Sequence, residues 1–71
     1  MGVCHVSNTI RRLRFEHDEM TQKQLAEKVG VTRQTIVAIE KAKYAPSLEL
    51  AFLIARTFDT PLEEVFSYDN D

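Results

Sequence analysis

Apolar residues recur along the chain at the three- and four-residue spacing of amphipathic helices, and no stretch alternates strictly between apolar and polar residues. Residues with helix-capping side chains return every 10 to 15 positions and divide this pattern into short segments. The pattern therefore predicts an all-α fold made of five short helices, with no internal repeat.

The first predicted helix runs from about Ser7 or Asn8 to His17. One stripe along it is apolar and faces the core, and it consists of Val6, Ile10 and Leu13. Phe15 lies off that stripe. We expect the stripe to be buried and Phe15 to lie outside the core.

The second and third predicted helices are separated by only a three- or four-residue turn. Thr21 and Gln24 form a capping box that begins the second helix. Its inward residues are Leu25, Ala26 and Val29. Gly30 suits the left-handed position that ends a helix, and Thr32 caps the next one. This turn is too short to contain a strand.

The third predicted helix has two distinct faces. One face carries Ile36, Ile39 and Glu40, and the opposite face carries Arg33, Gln34, Val37, Ala38 and Lys41. The core needs only the first face. The second face is therefore available to contact another molecule.

A connector, Tyr44-Ala45-Pro46, follows the third helix. Ser47 is the predicted cap of a fourth helix that runs from Leu48 to about Phe58. The segment Thr60-Pro61-Leu62-Glu63 is predicted to be a second capping box with proline at the first helical position. It begins a short last helix through Leu62, Val65 and Phe66, and the polar tail, residues 67–71, is predicted to fray.

Length and composition exclude several classes of protein. A chain of 71 residues with 44% hydrophobic and 28% charged residues predicts one folded domain, residues 1–71, with a core at about residues 6–66. It is too short for a large enzyme fold. Because the chain has no apolar run near 18 residues and no secretion signal, we expect a cytoplasmic protein that does not contact a membrane.

Residue types that commonly bind metals or act in catalysis are few, and they do not form a recognisable site in the sequence. Cys4 is the single cysteine, and with only His5 and His17 beside it the sequence has no constellation for a four-ligand zinc site. No nucleophile, base and acid, and no carboxylate pair, has helical spacing that would bring its members together. We therefore expect no enzyme, no small-molecule substrate, no metal and no cofactor.

The charges that sum to a net −2 are unevenly distributed along the chain. Residues 10–43 contain eight Lys and Arg against five acidic residues, whereas residues 44–71 contain one Arg against six acidic residues. A basic face is therefore possible on an acidic molecule. Taken alone, this is a weak signal, because charge runs on small helical domains are usually solvated faces.

Two short helices joined by a tight turn, the second with a polar outer face, form the arrangement that enters the major groove of DNA. Arg33 can donate two hydrogen bonds to guanine, and Gln34 matches the donor and acceptor of adenine. Val37 and Ala38 suit contact with thymine methyl groups, although a solvated helix surface tolerates them equally well. These residues make double-stranded DNA the predicted partner.

The segment from Met20 to Glu40, MTQKQLAEKVGVTRQTIVAIE, closely resembles the Cro/C1-type helix-turn-helix family, also called the xenobiotic response element family. The short stand-alone regulators of that family also resemble the segments PSLELA, residues 46–51, and PLEEVF, residues 61–66. The resemblance covers roughly residues 6–66. It implies a five-helix, lambda-repressor-like DNA-binding domain whose helix-turn-helix consists of helices two and three.

The resemblance also implies a role for individual residues. Base contacts would come from Arg33, Gln34, Val37 and Ala38. Contacts with the DNA backbone would come from Gln22, Thr32, Thr35 and Lys43. In many members an Arg of helix one pairs with the Glu that ends helix three, which here corresponds to Arg14 and Glu40.

The chain departs from the family pattern in two turns. The segment from Arg14 to Thr21 is one residue longer than usual, and the customary glycine is absent from His17-Asp18-Glu19. The pairing of Arg14 therefore depends on whether the loop absorbs the extra residue. After helix three, Ala42 stands where glycine is common, so the turn before Lys43 either differs or is strained.

Leu53 lies on a helix-four face that carries Glu49 and Arg56 and should otherwise be polar. Together with Phe66 and Tyr68 it predicts an apolar patch for self-association. Alternatively, the tail folds back over Leu53 within a monomer.

The function predicted from these features is a sequence-specific, DNA-binding transcriptional regulator, a repressor, that acts as a homodimer. The alternative is a protein-interaction or antitoxin-like module in which DNA binding is secondary, since the acidic half and the patch would serve a protein partner. Tight site-specific DNA binding favours the first, and a hetero-complex without DNA binding favours the second.

Overall fold

Five helices and a small two-stranded sheet make up residues 4–68, the part of the chain that the computed structural model describes. The helices are α1 (Ile10–Glu16), α2 (Gln22–Val29), α3 (Arg33–Glu40), α4 (Leu48–Thr57) and α5 (Leu62–Val65). The strands β1 (Val6–Asn8) and β2 (Phe66–Tyr68) pair antiparallel. The predicted five-helix fold is therefore confirmed, with the sheet as an addition.

The core forms where the apolar faces of the five helices meet, and α2 packs against both α3 and α4. Its buried side chains are Ile10, Leu13, Leu25, Ala26, Val29, Ile36, Ile39, Leu50, Ile54, Ala55, Phe58 and Val65. Within residues 4–68 no polar or charged residue is fully buried. The hydrophobic effect thus holds the helices together, and the polar groups remain at the surface for other contacts.

Three of the predicted helix caps are present. Thr21 Oγ1 accepts the Gln24 N–H at 3.0 Å, and Gln24 Oε1 accepts the Thr21 N–H at 2.9 Å, which completes the capping box of α2. Thr32 caps α3, and Ser47 Oγ accepts the Leu50 N–H at 3.1 Å at the start of α4. These short-range bonds set the start of the three central helices.

The ends of α2, α3 and α4 share one geometry, in which a left-handed residue follows the helix. These residues are Gly30 at φ 79°, Ala42 at φ 58° and Asp59 at φ 50°. After α3, the Lys43 N–H reaches the Ala38 carbonyl and the Ala42 N–H reaches the Ile39 carbonyl, both at 3.0 Å, which is a Schellman motif. Ala42 thus adopts the glycine-like conformation at a cost of about 1 kcal/mol.

The start of α1 and the nature of its flanking residues differ from the sequence prediction. The helix begins at Ile10, and Ser7 and Asn8 belong to β1, in which Ser7 faces Ser67 and Asn8 faces Phe66. Asn8 Oδ1 accepts the Ile10 N–H at 3.1 Å, so the side chain of Asn8 holds the first turn of α1 from outside the helix. The expectation of helix at residues 7 and 8 is wrong because strand pairing uses their backbone groups.

The end of the chain also differs from the prediction. Thr60 does not cap α5, because its N–H bonds to the Ala55 carbonyl at 3.0 Å and its hydroxyl donates to the Phe58 carbonyl at 2.9 Å. The helix begins only at Leu62, after Pro61. Phe66 starts β2 instead of ending the helix, and residues 67 and 68 are strand where a frayed tail was expected. The rest of that tail lies outside the described residues.

Candidate nucleic-acid interface

The two faces of α3 separate as the sequence predicts. Ile36 and Ile39 are fully buried against α2 and the rest of the core. Arg33 and Gln34 are exposed, and the next turn of the same face, Val37 and Ala38, is half-buried. The exposed start of α3 therefore carries two side chains that can each form paired hydrogen bonds, and neither has an ion pair or a side-chain hydrogen bond within residues 4–68.

An open groove crosses the molecule beside α3, and we call it the basic groove. Its lining residues come from β1, α1, the α1–α2 turn, the start of α2 and the outward side of α3: Asn8, Thr9, Arg11, Arg12, Arg14, Phe15, Glu19, Met20, Thr21, Gln22, Lys23, Arg33, Val37, Glu40 and Lys41. Six of these are Lys or Arg and two are Glu. The basic groove therefore has a positive balance on a chain whose total charge is negative.

An ion pair joins α1 to α3 at the floor of the basic groove. Arg14 Nε lies 2.7 Å from Glu40 Oε2, and Arg14 Nη2 donates to Glu40 Oε1 at 3.1 Å. The remaining guanidinium nitrogen, Nη1, donates to the Met20 carbonyl at 2.9 Å. The two side chains are only 15% and 9% exposed, so this bidentate pair is largely shielded from solvent.

The loop after α1 absorbs the extra residue that the sequence shows between Arg14 and Thr21. Asp18 and Glu19 both adopt left-handed conformations, at φ 59° and 55°. The closing bond runs from the Met20 N–H to the Arg14 carbonyl at 2.9 Å, six residues back, whereas the Schellman bond after α3 spans five. The wider turn leaves Arg14 in register with Glu40 without a glycine.

The residues predicted to contact the DNA backbone differ in their surroundings. Gln22 lines the basic groove, and its Nε2 donates to Glu40 Oε1 at 3.2 Å, so it belongs to the same network as Arg14. Thr32 and Thr35 lie at the start of α3 with their hydroxyl oxygens 3.1 Å apart. Lys43 is exposed, but its N–H is occupied by the Ala38 carbonyl, so only its side chain is available to a phosphate.

The groove residues that were not predicted to contact DNA include Asn8 and four basic residues, namely Arg11, Arg12, Lys23 and Lys41. Asn8 Nδ2 donates to the Ile39 carbonyl at 2.8 Å and thereby ties β1 to the last turn of α3. Lys41 had been placed on the outer face of the third helix, and the other basic residues had been counted only in the charge of residues 10–43. Their position on one groove depends on how α1 and α3 are placed relative to each other in the fold, which no local pattern reveals.

Two of the residues predicted for self-association, Phe66 and Tyr68, line one groove with Leu62, and the third, Leu53, lies on α4. Leu53 is 41% exposed and lines neither of the two grooves that contain Leu62. One of these grooves contains Phe52 from α4, and the other contains Phe66 and Tyr68 from β2. Phe52 on α4 therefore lines a groove together with Leu62, and Leu53 is the next residue of the same helix.

Residues 4–68 contain neither a side-chain cluster suited to a metal ion nor a helix suited to spanning a membrane. No group of three or more His, Cys, Asp or Glu side chains within residues 4–68 is arranged to hold a metal ion. Cys4 lies before β1, and His17 packs edge-on against Phe58 with ring centroids 5.1 Å apart. None of the helices in this part of the chain has the length and apolar character needed to span a membrane.

The architecture and the exposed face of α3 define a small helix-turn-helix domain. The helix-turn-helix family profile matches residues 10–65, and the chain belongs to this family, of the Cro/C1 type. The family comprises transcription regulators and is generally non-enzymatic.

Proteins with similar sequences support this assignment. An HTH-type transcriptional regulator of Methanocaldococcus jannaschii is 50% identical over 66 residues, which cover 93% of this chain and 98% of the relative. Another from Archaeoglobus fulgidus is 52% identical over 62 residues, 87% of each chain. The transcriptional repressor RstR of the cryptic phage CTXphi in Vibrio cholerae is 36% identical over 61 residues, 86% of this chain and 54% of the relative.

Proposed function

We propose that the protein is a sequence-specific transcriptional repressor that reads the major groove of double-stranded DNA with α3 and acts as a homodimer in the cytoplasm. The observation that carries this proposal is the exposed start of α3, where neither Arg33 nor Gln34 has an ion pair or a side-chain hydrogen bond within residues 4–68 and Arg33 lines the basic groove. No cofactor and no catalytic step is part of the proposal. The named phage repressor among the relatives supports repression as the mode of action.

The exposed start of α3 and the basic groove suit different parts of DNA, the first the bases and the second the phosphate backbone. Arg33 matches the two acceptors of guanine, and Gln34 matches the donor and acceptor of adenine. The cationic side chains along the basic groove suit phosphates, which fix the register of a protein on DNA without reading its sequence. Together these features favour α3 as the reading element over a surface that binds DNA only by charge.

Selection of bound duplexes from a random library tests the proposal directly. We expect the purified full chain to enrich a nearly palindromic sequence with half-sites about 10 base pairs apart. Fluorescence anisotropy with the enriched duplex and with random DNA then gives the specificity ratio. Failure to enrich any sequence, with equal affinity for all duplexes, would exclude sequence-specific regulation.

Arg33→Ala is expected to weaken binding to the preferred duplex by about 1–3 kcal/mol and to remove the preference at one base pair. The reason is that a bidentate contact with guanine is lost while the backbone contacts remain. Anisotropy titrations on the preferred duplex and on its single-base variants provide the measurement.

Lys43→Ala serves as the matched control, because its exposed side chain is assigned to phosphate. This variant is expected to weaken binding to all duplexes alike and to lower the salt slope by about one unit. An equal loss for Arg33→Ala on preferred and random duplexes would show that Arg33 contacts only phosphate.

The homodimer is proposed because one reading helix contacts too few base pairs to exceed non-specific binding by much at physiological salt. The apolar residues available for an isologous interface lie on α4, α5 and β2, away from the basic groove: Phe52, Leu53, Leu62, Phe66 and Tyr68. Of these, Leu53, Phe66 and Tyr68 are the interface that the sequence predicts. A two-fold contact through this side of the molecule leaves both copies of α3 free.

Leu53→Glu is expected to dissociate the dimer, because the interface would bury a carboxylate from each subunit on an already acidic half of the chain. Operator affinity should fall while the fold is retained, since Leu53 is 41% exposed in the single chain. Sedimentation velocity at tens of micromolar, beside the parent and the apolar Leu53→Met control, measures the effect. A monomeric parent would contradict the proposed homodimer. A Leu53→Glu variant that remains dimeric while Phe52→Glu dissociates would move the interface away from Leu53.

A further inference from the structure

Phe15 is the most exposed large apolar side chain of the chain's described part, with 68% of its surface accessible to solvent. It lies outside the core cluster because α1 buries its other apolar residues, Ile10 and Leu13, on a different side. The ring lines the basic groove, on the α1 side, together with Met20 from the following turn. The ring therefore does not contribute to the core, and it is accessible to a molecule that enters the groove.

The groove that this ring lines also contains cationic side chains that are free of ion pairs within residues 4–68. Within residues 4–68, Arg11, Lys23 and Lys41 line the groove without an ion pair or a side-chain hydrogen bond. Arg14 is neutralised by Glu40. Arg12 is paired with Glu16, and Glu19 also lines the groove. The groove therefore combines an exposed aromatic ring with these three cationic side chains, which have no ion pair within residues 4–68.

A ligand that matches this surface must present apolar C–H groups between closely spaced anions. The backbone of DNA has this alternation, because each deoxyribose lies between two phosphates. A free phosphate would use the cations and leave the ring exposed, whereas an apolar peptide would use the ring and leave the cations unpaired. The combination therefore favours a DNA strand that passes along α1.

We propose that Phe15 packs against a deoxyribose of the DNA backbone, and that Arg11 and Lys23 bind the phosphates on either side of it. This inference rests on the proposed DNA-binding function and extends the contact surface from the helix-turn-helix to α1. Covering the ring removes apolar area from water, so this part of the affinity does not depend on counterion release.

The test compares Phe15→Ala, Phe15→Leu and Lys23→Ala by fluorescence anisotropy on the enriched duplex over a range of salt concentrations. Phe15→Ala is expected to bind about tenfold more weakly, equivalent to about 1.4 kcal/mol, at every salt concentration and with an unchanged salt slope. Phe15→Leu should recover most of the affinity. Lys23→Ala should instead lower the slope by about one unit. Thermal unfolding of Phe15→Ala should match that of the parent, because the ring is not part of the core.

Several outcomes would overturn the inference. Affinity of Phe15→Ala within twofold of the parent would show that the ring is not covered by DNA. A weaker dimer in sedimentation, sufficient to explain the loss of binding, would place Phe15 in a protein interface instead. A parent protein that binds no duplex would contradict the proposed function itself, which distinguishes that failure from the failure of Phe15 alone.

Discussion

Replacing Ile39 with alanine is expected to lower the free energy of unfolding by about 2–5 kcal/mol. The side chain is 1% exposed and packs in the core on the side of α3 that faces away from solvent, so its removal leaves a cavity. A domain of 71 residues has a total stability of about 4–10 kcal/mol. The substitution therefore removes a large share of that stability, and calorimetry or chemical denaturation will measure it.

Val37→Ala is the matched control on the opposite side of the same helix. Val37 is half-buried and lines the basic groove, so its truncation is expected to change the free energy of unfolding by less than about 1 kcal/mol. If Val37→Ala were the more destabilising of the two, the assignment of a core face and a reading face on α3 would be reversed.

The features of the fold that the sequence predicts are those set by neighbouring residues. The capping box of Thr21 and Gln24 spans three positions, and Gly30 ends the same helix in the left-handed conformation that its residue type favours. Each of these depends on bonds within one turn of the chain. Local patterns therefore contain enough information to locate the helix-turn-helix.

The sheet depends on residues at opposite ends of the chain and was not predicted. Ser7 and Ser67 face each other in the register, and their hydroxyl oxygens lie 2.8 Å apart although 60 positions separate them in sequence. Strands of three residues are too short to show an alternating pattern. Similarly, Thr60 has the residue type of a helix cap, but the end of α4 uses both its N–H and its hydroxyl.

Only part of the candidate site could be predicted from the sequence, because the rest depends on residues from different helices. The outer face of α3 follows from helical periodicity alone, which is why Arg33 and Gln34 were recognised. The basic groove needs α1 and α3 side by side, and six of the eight Lys and Arg in residues 10–43 line it. The bond between Gln22 and Glu40 likewise joins residues from two helices. Sequence spacing gives the faces of helices but not which faces meet.

Arg14→Met and Glu40→Leu are each expected to lower the free energy of unfolding by about 3 kcal/mol, and the double variant is expected to recover most of that loss. Each single variant leaves one charge without its partner in a setting where the side chains are 15% and 9% exposed. The double variant replaces the pair with two apolar side chains of similar size beside the core. Chemical denaturation of the four proteins gives the coupling energy between the two positions.

The expected coupling follows from the shielding of the pair and from its further hydrogen bonds. Arg14 retains only the Met20 carbonyl when Glu40 is removed, and Gln22 loses its partner at the same time. A solvated pair would behave differently, because exposed ion pairs contribute only about 0–1 kcal/mol and their single variants are additive. Additive losses in the Arg14→Met, Glu40→Leu cycle would therefore contradict a stabilising link between α1 and α3, whereas recovery in the double variant would establish that the unpaired charge causes the loss.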